Sequence, residues 1–67
     1  MELLINGDKV EVPDSLTTVT SLLEHFGIDK KVVIVELNQT ILEKKAHSET
    51  MISDRDKIEI VNFVGGG

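Results

Sequence analysis

The spacing of apolar residues changes along this chain, and each change marks an element. Residues 2–6, ELLIN, are rich in β-type side chains, and Gly7 completes an Asn-Gly pair before KVEV, where Val10 and Val12 alternate with charges. Asn-Gly between two such runs predicts a β-hairpin with a two-residue turn, because both residues tolerate the positive φ that such turns require. Pro13-Asp14 ends the second run. The period then lengthens: Val19, Leu22, Leu23 and Phe26 stand at i, i+3, i+4 and i+7 and form one face of a short helix. Thr18 is the expected N-cap and Gly27 the expected left-handed C-terminal cap, so the helix should cover residues 19–26.

Residues 32–37, VVIVEL, are too continuously apolar for a half-exposed strand and read as a central strand with apolar groups on both faces. Asn38-Gln39 turns the chain into a short strand over 40–42. Residues 43–53 read as a polar loop with a possible helical turn, DRDK as a turn, and IEIVNF as the closing strand. One short helix covers only one face of a sheet, so the expected fold is α+β, with the helix laid across a mixed sheet of four to five strands. Alternation sends Ile58 and Ile60 inward to meet Leu3, Ile5, Leu22, Leu23, Phe26, Val33, Val35 and Ile52. The uncovered face then carries Val61, Phe63, Leu4, Val32 and Ile34, which predicts a docking patch beside the C-terminus.

Composition narrows the function more by exclusion than by choice. A chain of 67 residues with a net charge of −5 is one domain and a poor match for nucleic acid, whose phosphates recruit lysine and arginine clusters. No stretch approaches the roughly 20 apolar residues of a membrane span, and MELLINGDKV shows no basic region leading into an apolar one, so the cytoplasm is the expected location. With no cysteine there is neither disulfide nor thiolate metal site. His25 and His47 are expected at the surface, and no metal site is expected because zinc needs three or four convergent ligands. Glu36, Glu59, Asp54 and Asp56 are expected as solvated charges in a domain too small for a cleft. Ser21 and Ser48 have no base at motif spacing, so catalysis by the chain's own side chains is not expected.

The chain ends in NFVGGG. Three terminal glycines read either as a frayed or linker-like end, or as backbone stripped of Cβ atoms so that it can thread a narrow channel. On the second reading the reactive group is the α-carboxylate of Gly67, anionic at neutral pH and a poor electrophile until activated. Adenylation by ATP on a separate enzyme would supply the leaving group, after which a sulfur nucleophile can attack.

The Asn-Gly hairpin, TTVTSLLEHFG, VIVELN and above all DRDKIEIVNFVGGG together resemble the sulfur carrier proteins of thiamin (thiazole) biosynthesis, over essentially the whole chain. That family is ubiquitin-like, so the resemblance implies a β-grasp domain over residues 1–63 and a flexible C-terminal tail over 64–67. It implies that Gly67 is adenylated, converted to a thiocarboxylate and used to give sulfur to thiazole synthase. Val64, Gly65 and Gly66 would thread into the partner, while Val61, Phe63, Leu4 and Ile34 dock on it. The partners implied are an adenylating enzyme, thiazole synthase and a sulfur donor such as a cysteine desulfurase. No cofactor is bound by the chain itself; ATP is used by the activating partner. Two positions depart from the family pattern: Arg55 stands where glycine is usual, and His47 where an aromatic residue is common. Two other functions share the Gly-Gly ending, the small subunit of molybdopterin synthase and a ubiquitin-like modifier joined through Gly67. A non-covalent binding module would not need the tail.

Overall fold

Both hairpin turns run through left-handed backbone. In the computed structural model, which describes residues 1–62, Asn6 and Gly7 have φ of 50° and 88°, and Asn38 and Gln39 have 49° and 73°. Positive φ at both central residues matches the right-handed twist of the strands being joined. The first turn joins β1 (Glu2–Ile5) to β2 (Asp8–Glu11), and the second joins β3 (Val33–Leu37) to β4 (Thr40–Leu42). The closing strand is β5 (Lys57–Asn62), and the sheet order is β2-β1-β5-β3-β4. β1 and β5 are parallel; the other pairs are antiparallel. β3 is paired along both edges, as its apolar run implies, but the middle strand is β5, and Val32 belongs to a 3-10 turn (Lys30–Val32) ahead of β3.

The helix α1 (Val19–His25) begins where the sequence places it. Thr18 Oγ1 accepts from the Ser21 amide at 3.1 Å and Ser21 Oγ accepts from the Thr18 amide at 3.0 Å, a capping box with serine in the position usually held by glutamate. At the other end Gly27 has φ of 67°; its amide donates to Glu24 O at 3.1 Å and the Ile28 amide to Leu23 O at 2.9 Å. These are the two bonds of a Schellman cap. The helix therefore stops one residue early, with Phe26 as its C-cap at ψ of 2°. That end corrects the expected core: Phe26 is 42% exposed, and Ile28, reached after the reversal at Gly27, packs against the core instead.

Among the described residues the buried core is Leu3, Val12, Val19, Leu22, Leu23, Val33, Val35, Ile52 and Ile58, while Ile5 and Ile60 are half-buried at its margin. Val19, Leu22 and Leu23 are the helical share, so α1 lies on the inner face of the sheet. The segment between β4 and β5 contains the helical turn expected there, a 3-10 turn over Lys44–Ala46. Directly after it His47 is buried, with 1% exposure, against the expectation of a surface histidine. The carbonyls beside it are occupied by the loop's own bonds: the Thr20 amide donates to His47 O at 3.0 Å and the Thr50 amide to Ala46 O at 2.9 Å, tying the loop to the start of the helix. His25 is exposed.

Candidate functional site

β5 delivers the chain to its C-terminus, and it is held from both sides nearly to the last described residue. Against β3 the register runs through Ile34↔Val61 to Val33↔Asn62; against β1 it stops at Ile5↔Ile58. The Asn6 side chain extends the β1 side beyond that point, its Nδ2 donating to Ile60 O at 3.0 Å while its Oδ1 accepts from the Ile60 amide at 2.7 Å. A side-chain amide thus imitates one more residue of strand. Asn6 reads in the sequence only as a turn residue; this second role comes from the long-range parallel pairing of β1 and β5. Gly67, the proposed carrier residue, and Phe63, Val64, Gly65 and Gly66 lie outside the described residues, as does the expected domain boundary after residue 63.

The face away from the helix carries the expected apolar residues, but not as one patch. Ile34 and Val61 stand directly opposite each other and are 38% and 52% exposed; Val32, expected beside them, lies in the 3-10 turn ahead of β3 and lines a groove with Phe26, Ile28 and Val33 on the helix side instead. Leu4 is half-buried beside Lys57, four residues back along β5 from Val61, so about 13 Å separates those levels of the strand. Ile41, outside the expected patch, is 68% exposed and pairs with Glu36 on the same face. Strand alternation over residues 40–42 carries the signal for it. Between these groups Glu36 faces Glu59 across β3 and β5, a like-charge pair without an ion-pair partner among the described residues. Opposed like charges cost a sheet stability.

The carboxylates of the last turn have structural work rather than only solvation. Asp54 Oδ1 accepts from the Glu2 amide at 2.7 Å, and Asp56 accepts from the Ser53 amide at 2.7 Å and from Asn38 Nδ2 at 3.1 Å. Between them Arg55 takes φ of 71°, the conformation for which glycine is better suited. His47 has no hydrogen-bond partner on either ring nitrogen. Burial holds its pKa below the ordinary histidine value, and the Lys30 and Lys44 charges push the same way; the Leu42 carbonyl opposes them without reaching hydrogen-bond geometry. Among the described residues no three His, Cys, Asp or Glu side chains converge as metal ligands, and no helix is long and apolar enough to cross a membrane.

The sequence pattern of the ThiS family matches residues 2–67. The chain belongs to the ThiS family. It is 43% identical over 65 residues to the sulfur carrier protein ThiS of Bacillus subtilis (strain 168), covering 97% of this chain and 98% of that one. It is 42% identical over 67 residues to part of a thiazole synthase of Paramagnetospirillum magneticum, where the match takes in 100% of this chain but 20% of the synthase. The crystal structure of a thiamine biosynthesis protein (ThiS) from Geobacter metallireducens superposes with a TM-score of 0.85 at 36% identity and covers 100% of both chains. The mixed sheet with one helix is the ThiS β-grasp fold. Family membership makes the chain a sulfur carrier of thiamin biosynthesis, acted on by other enzymes rather than a catalyst. It decides among the Gly-Gly carriers that the sequence reading left open.

Proposed function

We propose that sulfur is carried as a thiocarboxylate on Gly67, for delivery to thiazole synthase. The observation that supports this most is a family match that runs through residue 67 in a chain without cysteine, so that the terminus is the group suited to hold transferable sulfur. On an activating enzyme, a Gly67 carboxylate oxygen attacks the α-phosphorus of ATP; pyrophosphate leaves and an acyl adenylate forms. A persulfide from a donor such as a cysteine desulfurase attacks the acyl carbon and AMP leaves. A thiol then cleaves the acyl disulfide, becoming oxidised to a disulfide as the thiocarboxylate is released. Once the sulfur is bonded to the acceptor, an oxygen nucleophile such as water attacks the acyl carbon, the carbon–sulfur bond breaks with the sulfur leaving on the acceptor, and the Gly67 carboxylate is restored. ATP belongs to the activating partner; the carrier binds no cofactor of its own.

In this reading residues 1–63 are the recognition domain and 64–67 the delivery segment. Val64, Gly65 and Gly66 pass through the partner's channel, and four residues reach roughly 13 Å when extended. Ile34, Val61 and Phe63 dock on the partner, with Leu4 further along the same face. Incubating the chain with activating enzyme, ATP and a sulfur donor, and then measuring intact mass, tests the proposal. One terminal oxygen should be replaced by sulfur, with the change confined to Gly67. Deleting Gly67 shortens the reach by about 3.5 Å and should abolish loading, since productive attack needs reacting atoms already in near contact. Equal loading of the shortened chain, or sulfur mapped elsewhere, overturns the proposal.

A further inference from the structure

Because α1 has 7 residues and spans only about 10 Å, it leaves the hairpin end of the inner sheet face uncovered. There the structure holds an open groove of about 520 Å³, floored by Ile5, Val10 and Ile60 and walled by Ile28. Phe26, turned out of the core by the helix cap, forms its lip. Asp8 and Asp29 stand at the rim, and none of the lining residues is cationic. Asn62 also lines the groove, so it opens where β5 hands the chain to residues 63–67. Val61 and Asn62 are consecutive in a strand and point to opposite faces. An enzyme that encloses the tail at its root therefore meets the outer face on one side and this groove on the other.

We propose that the groove is a second docking site for thiazole synthase, taking an apolar side chain flanked by a lysine or arginine of that enzyme. This rests on the proposed delivery of sulfur to that enzyme. Continuity with the root of the tail selects an enzyme that receives the tail, and the match of this whole chain to part of a thiazole synthase favours the synthase over the activating enzyme. The apolar floor selects the side chain, and the acidic rim selects its charged neighbour. The occupied groove also accounts for Phe26, an aromatic ring otherwise left half in water beside an apolar cavity.

The test titrates purified thiazole synthase from the same organism into the full-length chain labelled on its methyl groups. Methyl signals of Ile5, Val10, Ile28 and Ile60 should shift on binding. Phe26→Ala and Asp8→Lys should each weaken binding about tenfold, the second with a shallower dependence on salt, while Glu49→Lys, the same charge change on an exposed loop residue, should leave affinity unchanged. Thermal unfolding of each variant separates lost binding from lost folding, and Asp8, exposed and without a side-chain hydrogen bond among the described residues, decides the matter if Phe26→Ala is unstable. If the parent binds and both groove variants bind equally well, the groove is not a docking site but the delivery reading stands. If the parent itself fails to bind, the delivery reading falls and this inference with it. Groove signals that shift without enzyme on deleting residues 63–67 would assign the groove to the chain's own tail. A shift with protein concentration alone would assign it to a second copy; either result overturns the proposal.

Discussion

The two faces of the sheet use the same strands and differ by one residue of register, yet they serve different ends. On the inner face Leu3, Val35 and Ile58 are fully buried beneath α1; one position along, Ile34, Ile41 and Val61 are 38%, 68% and 52% exposed on the other side. The inner set gains by leaving water on folding, about 25 cal/mol per Å² of apolar surface. The outer set has no such gain within the chain; on the proposed docking it is realised against a partner. Where α1 covers the sheet, stability and recognition should therefore separate by strand parity, the inner-face groove lying beyond the helix, and substitutions can break that division if it is wrong.

The largest effect belongs to the helical share of the core. Leu22→Ala removes a fully buried side chain and should cost about 2–5 kcal/mol, much of what so small a core supplies. Denaturant unfolding measures it. A midpoint matching the parent would show that the inner face does not hold the fold. The outer pair should behave in the opposite way: Ile34→Ala and Val61→Ala should leave unfolding almost unchanged while weakening binding to thiazole synthase by about 1–2 kcal/mol each. Calorimetric titration reads the loss. Destabilised proteins with unaltered affinity would reverse the roles assigned to the faces.

Much of this division was legible in the sequence because its signals are local. Asn6-Gly7, Thr18 and Gly27 each carry their conformation in their own chemistry, and alternation assigned Ile34 and Val61 to one face. What escaped depended on the ends of elements or on distant contacts. Phe26 fits the helical period, but the period does not reveal that the cap turns it away from the core. The central place of β5 comes from a parallel pairing with β1, across most of the chain. His47 sits in an irregular polar stretch with no period to mark it as buried, and the aromatic residue common there in the resembling family was the available signal. The tail was read from composition and chemistry, and its residues lie beyond those described.

His47 tests how far the inner rule extends to a residue outside the sheet. Its folded pKa is lowered, so below its ordinary value of 6.5 the unfolded chain binds more protons than the folded one. Stability from this group is complete above that pH and is lost as pH falls from there through the lower, folded value. His47→Leu should flatten the decline measured by unfolding between about pH 7.5 and 5.5. It should also stabilise the fold at neutral pH by about 1 kcal/mol, by removing two buried ring nitrogens without partners. A variant whose stability follows the parent's pH dependence would place the titrating group elsewhere.

The smallest effect concerns a position that belongs to neither face. Arg55 holds φ of 71° between two aspartates that bind the backbone, and its amide donates to Glu2 O at 2.6 Å, fastening the turn before β5 to β1. Its guanidinium lies 3.8 Å from Asp54 Oδ2 but is 85% exposed, so that ion pair adds little. The Cβ in left-handed backbone costs about 1–2 kcal/mol, and glycine would return part of this as added freedom in the unfolded chain. Arg55→Gly retains the amide and should raise stability by about 0.5 kcal/mol, while Arg55→Ala retains the Cβ and should not. Thermal midpoints of the two variants decide between backbone and charge: an equal rise in both would attribute the gain to the lost guanidinium, and a fall on introducing glycine would show that the side chain stabilises the turn.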